Sequence, residues 1–133
     1  MTTDTSNCPI TLGKLERLKS RKIIADLFDK GKQFSAFPLK VVWIETTKIN
    51  TPFPAIMSVS VSKRSFKQAV RRNRIKRQVR ESYRQAKPDL YKILKEKNKQ
   101  IALMFLFLGK EIPKSKLIAE KIIYLLEKIK NNL

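Results

Sequence analysis

The sequence predicts an α+β fold, one domain with helices covering a face of a small sheet. Three observations carry that expectation. Residues 55–62 (AIMSVSVS) alternate apolar with small polar side chains, as a strand buried on one face does. Residues 101–108 (IALMFLFL) are continuously apolar, as a strand buried on both faces is. Segments 20–30 and 114–131 instead space their apolar residues at helical intervals. A chain of 133 residues suits one domain, and a hydrophobic fraction of 42% is too high for a wholly disordered basic tail.

Residues 1–13 are polar and Thr-rich and read as a flexible tail, leaving residues 14–133 as the domain. Ser20 is placed to N-cap a helix running through Lys30, with Gly31 stopping it in the left-handed conformation. Ile23, Ile24, Leu27 and Phe28 then share one side. Phe34 and Phe37 flank a loop, as packing residues. Residues 39–46, with Val41, Val42, Trp43 and Ile44 in succession, form a strand, and the two prolines in 50–54 mark a turn. After the 55–62 strand, residues 67–84 (KQAVRRNRIKRQVRESYR) have no proline or glycine and make one helix. Pro88 ends or kinks it, and Leu90, Tyr91 and Leu94 support a short further helical segment. A strand at 101–108 and an amphipathic helix built on Leu117, Ile118, Ile122, Leu125, Leu126 and Ile129 complete the order helix, strand, strand, helix, strand, helix.

Charge narrows the function. Thirty Lys and Arg oppose 11 Asp and Glu, a net +19 with no histidine to modulate it. Such self-repulsion is tolerable where a polyanion supplies the missing negative charge. Cys8, the only cysteine, can form neither an internal disulfide nor, without histidine, a zinc site. No histidine and no clustered acids leave the protein without a catalytic constellation or a metal site. The N-terminus lacks a signal layout, and the 101–108 run is far short of the ~20 residues of a membrane helix. A soluble cytoplasmic protein is expected.

The helix at 67–84 concentrates the charge. At about 100° per residue, Ile75, Val79, Tyr83 and Ala86 gather on one side to pack on the sheet. Asn73, Arg74, Arg77, Arg80 and Arg84 fan over the other. Arg72 and Lys76 lean towards the apolar side and either border the sheet or form a second contact edge. A solvated surface helix would mix signs at four-residue spacing, and here only Glu81 does so. Planar guanidiniums bond phosphate oxygens in pairs, and Asn73 can bond a sugar or a base edge.

The run Ser60-Val61-Ser62-Lys63-Arg64, then Ala69-Val70, then Arg72-Asn73-Arg74-Ile75-Lys76-Arg77, then Arg80-Glu81, closely resembles the signature of the bacterial ribonuclease P protein component. Arg72-Asn73-Arg74 matches that family's RNR motif. Residues 15–31 (LERLKSRKIIADLFDKG) are similar to its opening, where an Arg-Leu pair precedes a helix ending in Phe and Gly. The resemblance covers roughly residues 12–130. It implies a fold like the second domain of ribosomal protein S5, with a left-handed βαβ crossover, where general rules alone would lead to right-handedness.

It further implies an accessory subunit of a ribozyme, in which a catalytic RNA and Mg2+ held mainly by RNA remove the 5′ leader of precursor tRNA. Carried over, Lys63, Arg64, Arg72, Asn73, Arg74, Lys76, Arg77 and Arg80 contact the catalytic RNA in a 1:1 complex, with no obligate protein partner and no membrane. A cleft between the first helix and the sheet takes the single-stranded leader through Phe28, Trp43 and Lys40. Ile24 stands where many members carry Phe and offers an apolar contact only. Core packing competes with stacking for Phe28 and Trp43. The alternative function is a ribosomal-type structural RNA-binding protein of the same fold. A DNA-binding module is disfavoured because no helix-turn-helix spacing surrounds the basic helix. A membrane-surface role is disfavoured because the core needs the apolar face of the C-terminal helix.

Overall fold

A computed structural model describes residues 16–47 and 52–133. The expected tail with Cys8, and Asn50 of the proline turn, lie outside them. The elements are α1 (Arg21–Lys30), β1 (Lys32–Ala36), β2 (Leu39–Glu45), β3 (Ala55–Val61), α2 (Ala69–Glu96), β4 (Ile101–Phe107) and α3 (Ser115–Asn131). The four strands form one sheet in the order β1-β2-β4-β3. β1 and β2 are an antiparallel hairpin, β2 pairs antiparallel with β4, and β3 lies parallel to β4 with α2 as their crossover.

Strand alternation divides the core in two. Val41, Trp43, Met57, Val59, Leu103 and Phe105 point to the face covered by α2 and α3, where the larger core lies. Val42, Ile56, Ala102 and Met104 point to the other face, against Leu18, Ile23 and Leu27. Helices therefore cover both faces, the second only in part, where the sequence suggests one. β4 is central and buried on both sides, as its unbroken apolar run predicts.

Four local expectations change. β1 (KQFSA) is a strand where a loop was expected; as an edge strand it exposes Lys32, Gln33 and Ser35 and carries little apolar signal. Phe34 packs on the larger core, whereas Phe37, at the hairpin turn, is 70% exposed and is not a packing residue.

Ser20 does cap α1, its hydroxyl accepting from the Ile23 N–H at 3.4 Å. Gly31 does not turn left-handed: its φ is −69°, in the extended region. A side chain there would meet the Leu27 carbonyl oxygen at 2.3 Å and Val42 Cγ1 at 2.9 Å, so glycine is required by close approach to β2.

Pro88 neither ends nor separates a helix. α2 runs unbroken for 28 residues, and Leu90, Tyr91 and Leu94 belong to it. An interior proline costs about 3 kcal/mol. Burial of Ile75, Val79 and Tyr83 before it, and of Leu90, Tyr91 and Leu94 after it, outweighs that cost.

Candidate nucleic-acid interface

The buried row of α2 fixes which side chains are left outside. Ile75, Val79 and Tyr83 are fully buried, and Tyr83 meets Phe105 of β4 edge-on at 5.9 Å between ring centres. Ala86 is partly buried against the same core. Asn73, Arg74 and Arg77 consequently face solvent. Arg84 is half-buried and donates through Nε to Glu81 Oε2 at 3.0 Å, with a second contact from Nη2 to Oε1. That hydrogen bonding lowers the Glu81 carboxyl below its ordinary range and raises the Arg84 guanidinium. Glu81 is thus occupied by Arg84.

Arg72, Lys76 and Arg80, spaced four apart, are half-buried; Arg72 and Lys76 lean inward as expected, whereas Arg80, expected on the outer fan, leans inward with them. Arg72 Nη1 donates to the Phe66 carbonyl at 2.7 Å and the Lys67 carbonyl at 3.0 Å, which fixes the loop between β3 and α2. Burial first, and the charge of Arg17 second, hold Arg80 below the usual arginine value. Arg17 in turn bridges Met57 on the edge strand β3. Lys63 and Arg64 are exposed in the turn after β3, where the Arg64 N–H donates to Ser62 Oγ at 3.1 Å. The eight residues expected to meet RNA therefore occupy the outer side of α2, its border with β3, and the loop that leads into it.

The second expected surface is altered at one position. Trp43 is 1% exposed in the larger core, on the face that α2 and α3 cover, with Lys32 Nζ 5.3 Å from its ring centre. Alternation along β2 turns Lys40, Val42 and Ile44 towards α1 and Trp43 away from it. Trp43 cannot line a cleft on the α1 side, and that expectation is corrected.

Phe28 is 54% exposed, one turn after Ile24, which packs partly on the smaller core. Lys40 is half-buried and pairs across the sheet with Leu106 and Ser35. Ile24, Phe28, Lys40 and Leu106 are thus on the α1 side of the sheet, beside Ser58 and Ser60 of β3. The strand pattern could have supplied Leu106 and the serines, since alternation assigns them to the face opposite Trp43.

A buried polar cluster was not expected. Glu16 and Lys87 are fully buried, with Lys87 Nζ 2.6 Å from Glu16 Oε1. The Tyr91 hydroxyl donates to the same oxygen at 2.6 Å. Burial above all, then Tyr83 and the bond to Glu16, push the Tyr91 phenol far above its ordinary value. A lysine inside the apolar row of α2 was the available signal. The cluster ties the segment leading into α1 to the C-terminal half of α2, so both surfaces hang on one frame.

Among the described residues, no three of His, Cys, Asp and Glu come together as a metal site. No helix among them is long and apolar enough to cross a membrane. Fold and surface together define a basic α+β protein whose long helix presents an arginine face. The ribonuclease P family model matches residues 12–130, and the chain belongs to that family.

The ribonuclease P protein component of Porphyromonas gingivalis is 38% identical over 109 residues, covering 82% of this chain and 79% of the relative. That of Chlorobium phaeobacteroides is 32% identical over 129 residues, covering 90% of this chain and 88% of the relative. The solved RNase P protein of Staphylococcus aureus shares the fold, with a TM-score of 0.65 at 21% identity over 86% of this chain and 95% of that one.

Proposed function

We propose that residues 14–133 form the protein subunit of a ribonucleoprotein ribonuclease P. The subunit binds a catalytic RNA in a 1:1 complex and steers the 5′ leader of precursor tRNA, in the cytoplasm. The observation that carries this reading is the outer side of α2, where Asn73, Arg74 and Arg77 are exposed and free of acidic partners among the described contacts. Guanidiniums there neutralise phosphates on the RNA, and Lys63 and Arg64 extend the same field to the end of the sheet.

The leader runs on the α1 side. Phe28 offers a ring face to a base, Lys40 a charge to a phosphate, and Ile24 and Leu106 an apolar floor. Stacking of this kind contributes roughly 1–3 kcal/mol per base and tolerates any base. The ion and the hydrolytic step are assigned to the catalytic RNA, as the family resemblance implies.

Reconstitution tests the proposal. Purified protein added to a bacterial ribonuclease P RNA at low Mg2+ should accelerate 5′ cleavage of precursor tRNA. Cleavage no faster than with RNA alone would sink it. The double variant Arg74→Glu/Arg77→Glu should lose at least tenfold in affinity for that RNA while its thermal transition is retained. An unchanged affinity would remove α2 from the RNA contact.

A further inference from the structure

Phe37 is the most exposed of the aromatics described and lies outside both surfaces. Phe37, in the turn between β1 and β2, is 70% exposed, and Leu108, just beyond β4, is 48% exposed. Their backbones are tied next to one another: the Leu108 N–H donates to the carbonyl of Pro38, the residue after Phe37, at 2.7 Å. A side chain on Gly109 would come within 3.2 Å of Pro38 Cβ and 2.8 Å of Phe107 Cζ, so the chain after β4 passes directly against the turn.

Next to it, a cavity of about 330 Å³ is lined by Ser65, Phe66, Lys67, Gln68, Arg71 and Lys110. Phe66, in its lining, packs on Phe107 of β4 at 5.9 Å between ring centres. Leu39 pairs with Phe107 and Phe107 with Val61. Lys110, which lines the cavity, directly follows Gly109, which lies against Pro38, so cavity and turn adjoin along the chain after β4.

The loop bearing the cavity is not loose, because Arg72 holds the carbonyls of Phe66 and Lys67. Lys67, Arg71 and Lys110 are exposed at its rim, and Glu111 is the acid beside them. An aromatic face set in a cationic rim suits a group with a flat π-surface and an adjoining negative charge. An unpaired nucleotide is such a group.

We propose that Phe37 with Leu108, together with the cavity of Lys67, Arg71 and Lys110, forms a third RNA contact, taking an unpaired nucleobase on the ring and a neighbouring phosphate in the cavity. This rests on the RNA-binding reading above. The nucleotide comes either from the catalytic RNA or from the precursor's leader, which share this chemistry.

The test uses the full-length protein, a bacterial ribonuclease P RNA, and precursor tRNA with either a long or a one-nucleotide leader. Phe37→Ala should weaken binding by roughly 5- to 100-fold, the range one base stack gives. Phe37→Tyr should bind as the parent does, and both should keep the parent's thermal transition. A loss against RNA alone assigns the base to the RNA subunit. A loss confined to the assembled enzyme on the long leader assigns it to the substrate.

Lys67→Ala/Lys110→Ala should reduce the salt dependence of the same affinity by about one to two phosphates. Parent-like binding by Phe37→Ala in both arms overturns the proposal, including the case where that variant instead abolishes self-association of the protein. If the unaltered protein fails to bind RNA, the broader functional reading falls first, so the two failures are separable.

Discussion

Removing Phe28 should do what removing Trp43 does not. Phe28→Ala deletes an exposed ring, so stability should change by less than about 0.5 kcal/mol, while affinity of the assembled enzyme for a long-leader precursor falls. Trp43→Ala empties a site in the larger core and should cost about 3–5 kcal/mol in denaturant unfolding. Equal effects of the two variants on folding would refute the assignment of faces. Sequence made both aromatics visible but could not rank them. A period of two assigns Trp43 to one face or the other only once the strand register is known, and a shift of one residue reverses the answer. In the RNR segment the buried row Ile75, Val79, Tyr83 and the exposed Asn73, Arg74 and Arg77 were legible, because apolar and basic positions separate on an uninterrupted helix, whereas the half-burial of Arg80 was not. Glu16 was not, since a lone carboxylate near the chain start has no local pattern and finds its partner 71 residues away.

At the scale of elements, α2 and the Glu16 cluster set the geometry. Lys87→Met leaves the Glu16 carboxylate buried without its cation and should destabilise by about 3–5 kcal/mol; thermal or urea unfolding measures it. Tyr91 gives the cluster a pH signature. Its folded-state pKa is raised, so its contribution is fully present below the ordinary phenol value of about 10 and is lost as pH rises above that, where only the unfolded chain ionises. The stability difference between the parent and Tyr91→Phe should decline above about pH 10, a comparison in which the lysines common to both proteins cancel. A flat difference would place Tyr91 outside the buried bond. Five of the strands and helices were readable from periodicity. β1 was not, because an edge strand shows solvent its polar side chains, and α2 was cut short because Pro88 is weighed locally while the burial around it is tertiary.

For the whole molecule, +19 is the dominant quantity. Affinity for RNA should fall linearly in log–log form with salt, by roughly 0.7–0.9 per phosphate neutralised, and Arg74→Ala/Arg77→Ala should lower that slope by about two. Filter binding across a potassium chloride series measures both, and a slope near zero would leave the charge unexplained. Fold class was legible from three segments, while partial cover on the second sheet face was not, because α1 presents too short an apolar stripe to announce which layer it joins. The buried Lys87–Glu16 bond carries a last consequence. It clamps the root of α1 to the C-terminal half of α2, so the assembly works like a caliper whose jaws are set at folding. In the function proposed above, one jaw meets the ribozyme and the other the dangling end of its substrate, so the gap between them becomes a dimension the protein brings to the RNA.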